Sequence, residues 1–442
     1  GAIADYTEAI RLNPQSAEAY INRGTVKNEK KELEGAIADY TEAIRLNPQS
    51  AEAYINRGIS RKDKNNLEDA IADFTETIRL NPQFVSAYVN RAGIKDTKKD
   101  FDGAISDYTE AIRFNPQLPE VYNNRGATKQ KKQDLEGAIA DFNEELRLNP
   151  QYALAYFNRG IVKQCKQDLE GAITDFNEAL RLNPQLTEVY NNRGLVKKEK
   201  NNLEGAIADF TEIIRLNSQH SEAYYNRGVT KCIKKDLEGA SEDFTEAIHL
   251  NPQYSEAYYN RGITKCFKQD LEGASEDFTE AIHLNPQYSE AYYNRGNIKY
   301  INKQDLEGAI ADLTEAIRFN PKYALAYASR AGIKDYKKDL EGAIADYTEA
   351  IRFNPQLPEV YNNRGAVKQK KQDLEGAIVD FNEELRLNPQ FALAYFNRGI
   401  VKKLKQDFEG SIEDWEKALS LENNGQIQQL LIETLRQYSR EQ

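Results

Sequence analysis

Methionine is absent from the 442 residues, tryptophan occurs once, and histidine and cysteine occur three times each. So few histidines leave little for general acid–base chemistry. Cys165, Cys232 and Cys266 form neither a CxxC pair nor a cluster with metal-ligand spacing. Three cysteines without partners fit a reducing compartment such as the cytoplasm. No all-apolar run exceeds six residues, as in Tyr152–Phe157, against the roughly 18 needed to span a bilayer, so no membrane insertion is expected. Excess positive charge is lacking too: 59 Lys and Arg face 70 Asp and Glu, for a formal net charge of −11. That balance argues against a nucleic-acid or anionic-membrane binder. No phosphate loop, nucleophile elbow, zinc spacing or Ser/His/Asp arrangement appears. The chain therefore reads as non-enzymatic, with no catalytic residue, no metal and no cofactor.

What it has instead is one pattern copied many times. Asn-Pro recurs at Pro14, Pro48, Pro82, Pro116, Pro150, Pro184, Pro252 and Pro286 on a 34-residue grid, with Ser218 replacing the proline once. The grid then slips by one to Pro321, Pro355 and Pro389. In the unit 17–50, small and large landmarks fall at Tyr20, Gly24, Ala36, Tyr40, Ala43 and Pro48. A 34-residue period of paired amphipathic helices with these landmarks resembles the tetratricopeptide repeat (TPR) family over essentially the whole chain. The resemblance implies an all-α fold, a right-handed α-solenoid of helix-turn-helix units whose first helices line the concave surface.

Residues 1–16 read as the second helix of an incomplete repeat. Twelve tandem units follow over 17–425, starting at 17, 51, 85, 119, 153, 187, 221, 255, 289, 324, 358 and 392. The unit at 289 has 35 residues, the extra one falling between Gly296 and Leu306. An Asp or Asn before Leu, as in Asp134-Leu135, can cap the second helix, and Pro119 and Pro358 suit the first turn of a first helix. Residues 426–442 carry the stripe Ile427, Leu430, Leu431, Leu435 and Tyr438, expected of a capping helix at the end of an array. A start at Gly-Ala-Ile in mid-pattern is expected of a fragment, and the cap of a native C-terminus. Units 221–254 and 255–288 differ at three positions, and 91–171 reappears almost intact at 330–410, as recent duplication would leave them.

Each unit is numbered here from its first residue, so that Ala17 is position 1. At 100° per residue, positions 4, 7, 8 and 11 share one face of the first helix, and positions 2, 6, 9 and 13 the opposite one. Position 7, where the family has Leu, is Arg in all twelve units, from Arg23 to Arg398. A guanidinium on a packing face needs a partner, and Asp at position 23, from Asp39 to Asp414, is expected to supply it. Position 27 is Glu at Glu145 and Glu384, where the family has a buried Ala; a neighbouring Lys or Arg is expected to pair with each.

Position 6 is Asn22, Asn56, Asn90, Asn124, Asn158, Asn192, Asn226, Asn260, Asn294, Asn363 and Asn397, with Ser329 as the exception. A carboxamide can pair with a peptide unit as a neighbouring strand would. The row resembles the asparagine ladder lining the TPR superhelix of O-GlcNAc transferase, which implies a groove that binds an extended polypeptide. The alternative for these residues is structural, with each Asn bonded to its neighbour. The carboxylate clamp of chaperone-adaptor TPR domains needs groove Lys and Arg, whereas position 2 here is mostly Glu or Leu. Positions 5 and 13 vary while the frame stays fixed. Phe157, Tyr225, Tyr259 and Tyr293 at position 5, with Ile233, Phe267 and Ile301 at position 13, make the middle of the array the most apolar stretch. Such clustering marks a partner site when it is exposed.

The expected function is a protein-interaction scaffold whose partner is a protein or peptide. Two alternatives stay open: a self-assembling structural protein that binds other copies of itself in a fibre or tube, and a regulatory arm of an enzyme domain outside this chain.

Overall fold

The computed structural model describes residues 1–302, 305–422 and 424–441. Among them the chain is all-helical, with 26 helices and no strand. It divides into two compact units, Gly1–Ser218 and Gln219–Gln442. The first opens with helix Ala2–Leu12 and continues as six helix pairs, from Ala17–Glu29 with Leu33–Leu46 to Thr187–Glu199 with Leu203–Leu216. The second begins with the pair Ser221–Ile233 and Leu237–Leu250. Its sixth pair is Ala392–Leu404 with Phe408–Leu421, followed by helix Gly425–Glu441.

Local chemistry sets these boundaries. Proline disfavours helix in the residue before it, so second helices end at the Asn of Asn-Pro; Leu203–Leu216 stops at the same place before Asn217-Ser218, and Phe408–Leu421 stops before Glu422. The Asn side chain of Asn-Pro accepts from an amide two residues on, as in Gln49 N–H to Asn47 Oδ1 at 3.1 Å. The expected caps form: Asp134 Oδ1 accepts from Gly137 N–H at 3.0 Å, Asn202 Oδ1 likewise from Gly205, and Pro119 and Pro358 stand in first turns. Between paired helices the chain passes through a left-handed residue, such as Lys31 at φ 65° and Gln133 at φ 67°. In the unit at 289 the helices stop at Ile301 and resume at Leu306. The extra residue therefore falls between Ile301 and Leu306, and 303 and 304 lie outside the described residues.

Each pair packs through alanine and one aromatic ring. Ala274 and Phe278 of one second helix are fully buried, and the ring lies so close to the first helix that a Cβ on Gly262 would sit 2.8 Å from it. Glycine is required there for that approach. At the end of the second unit Ile427 is buried with Trp415 and Ala418, and Leu430 and Leu431 pack on them. Trp415 Nε1–H donates to the Phe396 carbonyl at 3.1 Å. Leu435, expected in the same stripe, is 41% exposed, whereas its neighbour Thr434 is fully buried. The side chain of Tyr438 lies outside those described.

Candidate partner-binding face

The first helix of each unit has one face committed to a polar frame. Arg261 donates through Nε and Nη2 to Asp277 at 2.9 and 2.7 Å, and Lys265 reaches the same carboxylate at 3.0 Å. The Asp277 side chain is 5% exposed. Arg261 Nη1 donates to Thr245 Oγ1 of the preceding unit at 3.2 Å, and its guanidinium lies 5.6 Å from the Tyr258 ring. The expected Arg–Asp pair is therefore made within each unit. Three parts of the frame were not foreseen: the second cation at position 11, the tyrosine beneath the Arg, and the hydroxyl or carboxamide at position 25 that ties a unit to the one before. Lys or Arg at position 11 in every unit was the visible signal. The same arrangement stands in the first unit at Arg57, with Asp73, Arg61 and Thr41.

The opposite face carries the asparagines, and the structure treats them unequally. Asn192 donates to the carbonyl of Glu188 at 2.8 Å. Asn90 donates to Ser86 at 2.9 Å and accepts from Lys62. Asn260 donates both to the Glu256 carbonyl at 2.8 Å and to Tyr225 Oη at 3.2 Å, and Asn294 repeats this with Glu290 and Tyr259. Asn158 and Asn397 donate to Asn123 and Asn362 of the preceding unit, at 3.4 and 2.9 Å. These carboxamides donate inside the protein, and all but Asn90, whose oxygen takes Lys62, present an oxygen. Asn226 is 8% exposed. Asn22 and Asn56 are half-buried, whereas Asn124 and Asn363 are exposed.

The aromatics at position 5 are less open than the sequence implied. Phe157, Tyr225, Tyr259 and Tyr293 are half-buried. Tyr225 packs at a tilt against Tyr254 and Tyr259 against Tyr288, both at 4.8 Å between centroids, and Tyr293 lies 5.0 Å from Tyr323. The three tyrosines therefore pack mainly against the tyrosine that ends their own unit, and the asparagine bonds to the hydroxyls of Tyr225 and Tyr259 tie two of these pairs to the unit that follows. The signal was the tyrosine at position 34, which occurs beside each of the three. Position 13 is different. Ile233, Phe267, Ile301 and Tyr336, on four successive first helices of the second unit, are 52, 72, 61 and 55% exposed. Of the apolar residues expected on this face, Phe267 is the one most open to a partner.

Family models described as TPR repeat match residues 24–61, 98–133, 166–200 and 336–372, and models of the tetratricopeptide repeat match 51–84, 119–152, 187–220 and 267–324. Together they span more than half the chain. It belongs to the tetratricopeptide repeat family. Among solved TPR structures it is similar to YrrB, a TPR protein with an unusual peptide-binding site. The two are 26% identical over 42% of this chain and 95% of that one, at a TM-score of 0.38. The Cut9–Hcn1 hetero-tetramer of the APC/C matches over 96% of this chain and 98% of that one, at 12% identity and a TM-score of 0.43. Yeast Tom70 matches over 96% of each chain at 18% identity and a TM-score of 0.37. A search of curated proteins finds no match.

The TPR frame makes Glu145 and Glu384 anomalous, and the structure corrects the expectation for them. Both are fully buried, and neither carboxyl accepts a hydrogen bond of normal geometry, although the Asn123 carboxamide stands close enough to Glu145 to favour its charge; no Lys or Arg pairs with either. The frame explains why: the Lys and Arg of the first helix are already held by Asp141 and Asp380. Burial pushes the Glu145 carboxyl up to about 7, with Asn123 lowering it and Glu120 raising it further. It pushes Glu384 up to about 8, with Glu359 adding to the rise. Cys165, Cys232 and Cys266 are free thiols. Among the described residues no helix is long and apolar enough to cross a membrane.

Proposed function

We propose that this TPR chain is a protein-interaction scaffold that holds an extended polypeptide along the face of its first helices. The observation that carries this reading is the row Ile233, Phe267, Ile301 and Tyr336, exposed at one position of four successive helices. Burying a side chain of this size in an interface is favourable by roughly 1.5–3 kcal/mol, and folding leaves this area uncovered. Position 6 lies seven residues before it on the same helix face. Asn260 and Asn294 have their N–H groups engaged there, so their oxygens are left to accept from the amides of a ligand backbone. In this reading the asparagines act as acceptors, and specificity comes from the apolar row. Extended chain advances about 3.3 Å per residue and neighbouring helices lie 8–10 Å apart, so one asparagine meets roughly every third ligand residue.

The test is selection of a random peptide library against the wild-type chain and against a Phe267→Ser/Ile301→Ser variant. Peptides enriched by the wild type should be lost by the variant, with an unchanged melting curve because both side chains stand in solvent. Identical enrichment by both, or none by the wild type, would sink the reading.

A further inference from the structure

Glu145 lines a depression of about 240 Å3 between the start of helix Pro119–Lys131, the end of helix Leu135–Leu148 and the turn that follows. Glu120, Asn123, Asn149 and Tyr152 complete its wall, and Asn124 stands among them. Three observations at this place point the same way. The Glu145 carboxyl is fully buried and accepts no hydrogen bond of normal geometry, with only the Asn123 carboxamide near enough to favour its charge, a costly arrangement unless something comes to satisfy it. The wall is rich in acceptors and ends in the ring of Tyr152, which is 37% exposed; carboxylate, carboxamide oxygen and aromatic face are the groups that hold an ammonium or guanidinium. Asn124 is exposed and its carboxamide is bonded to nothing, whereas Asn90, Asn192, Asn260 and Asn294 have theirs engaged.

The set of residues occurs twice. In the duplicated block Glu359, Asn362, Asn363, Asn388 and Phe391 take the same repeat positions around Glu384. Glu384 is again fully buried and unpartnered, and Asn363 is again exposed. Both carboxyls are held back from ionising by burial and by the carboxylate of Glu120 or Glu359. An entering cation reverses both effects, and the carboxyl proton leaves to solvent.

We propose that Glu145 and Glu384 are the floors of two sockets, each taking a lysine or arginine side chain of a polypeptide lying on the first-helix face. The proposal rests on the scaffold reading and adds to it a charge requirement. A free asparagine beside each socket, able both to donate to and to accept from a peptide unit, favours a polypeptide over a small free amine.

The test uses the full chain and three fluorescein-labelled peptides of alternating Gly and Ser, with Lys, Arg or norleucine at the centre, read by anisotropy at neutral pH. The Lys and Arg peptides should bind about tenfold more tightly than the norleucine peptide, or ~1.4 kcal/mol. The preference should vanish in Glu145→Ala/Glu384→Ala, a variant that should fold because Ala is the residue of most other repeats. It should survive in Glu413→Ala/Glu416→Ala, which removes the same charge from an exposed surface. Equal binding of all three peptides overturns the sockets and leaves the scaffold reading standing; binding of none counts against both. Loss of preference in the surface control reduces the effect to net charge, and displacement by less spermidine than peptide reassigns the sockets to a free polyamine; either overturns the proposal.

Discussion

Replacing Glu145 by alanine removes a buried carboxyl with no cation and no hydrogen bond of normal geometry, and its effect on stability should depend on pH. The carboxyl is raised from its ordinary 4.5 to about 7, mainly by burial. A raised value means that the folded chain holds the proton after the unfolded chain has released it. Stability is therefore intact below pH 4.5, falls as the pH climbs toward 7, and is fully lost above that. At about 1.36 kcal/mol per pH unit the loss reaches ~3 kcal/mol. Alanine forgoes one buried methylene and the carboxyl carbon, together roughly 1.6 kcal/mol. Glu145→Ala should thus destabilise by about 1–2 kcal/mol at acid pH, be near neutral around pH 6, and stabilise by about 2 kcal/mol at pH 9. Glu384, raised to about 8, should give a larger gain at pH 9, ~3 kcal/mol. Repeat arrays open locally, so the assay is hydrogen exchange in helix Leu135–Leu148, converted to opening free energies on either side of pH 7. A variant no better protected than the wild type at high pH, or a difference that does not change with pH, would refute the reasoning.

Asp277 is shared by Arg261 and Lys265, so Asp277→Ala strands two cations and should cost about 3–5 kcal/mol in urea unfolding. Arg261→Ala leaves Lys265 in place and should cost clearly less; equal losses would show that the second cation does not matter. Gly262→Ala puts a methyl 2.8 Å from Phe278 and should cost about 1–3 kcal/mol. Gly93→Ala, whose nearest atom is Tyr108 Oη at 3.9 Å, should gain about 0.5–1 kcal/mol from helix propensity. Melting curves give the order, and a reversed order would contradict the packing described. Sedimentation velocity across a wide concentration range should show one species, whereas growth with concentration would favour the self-assembling alternative.

The helices, their caps and the Arg–Asp pairs were legible because each rests on short-range rules: Asn-Pro ends a helix, Asp before Leu starts one, and a buried guanidinium requires an anion. The candidate face was harder to read. Tyr225, Tyr259 and Tyr293 look like groove residues by helical phase, yet they turn toward the tyrosine at position 34 of their own unit, where two rings can exclude water together. Phase gives the direction of a Cβ, not the direction taken by a long side chain with a partner available. The asparagine ladder was visible as a column, but its hydrogen bonds depend on whether the preceding unit offers Tyr, Asn or Phe at position 5. Glu145 failed in the opposite way. A partner was expected by charge, but the cations on the neighbouring helix had already been claimed by Asp141.

The tie from Arg261 to Thr245 of the preceding unit bears on how such a chain changes length. Within each of the two compact units the joints repeat this interlock, an arginine on one side and a Thr hydroxyl or Asn carboxamide on the other. A unit copied or deleted whole therefore leaves matching ends behind it. Unequal recombination can lengthen or shorten the gene without inventing a new interface, and the near-identity of 221–254 with 255–288 is what such an event leaves. Residues outside the interlock, including the Glu145 socket, then travel as passengers and can be dealt out again at another place in the array.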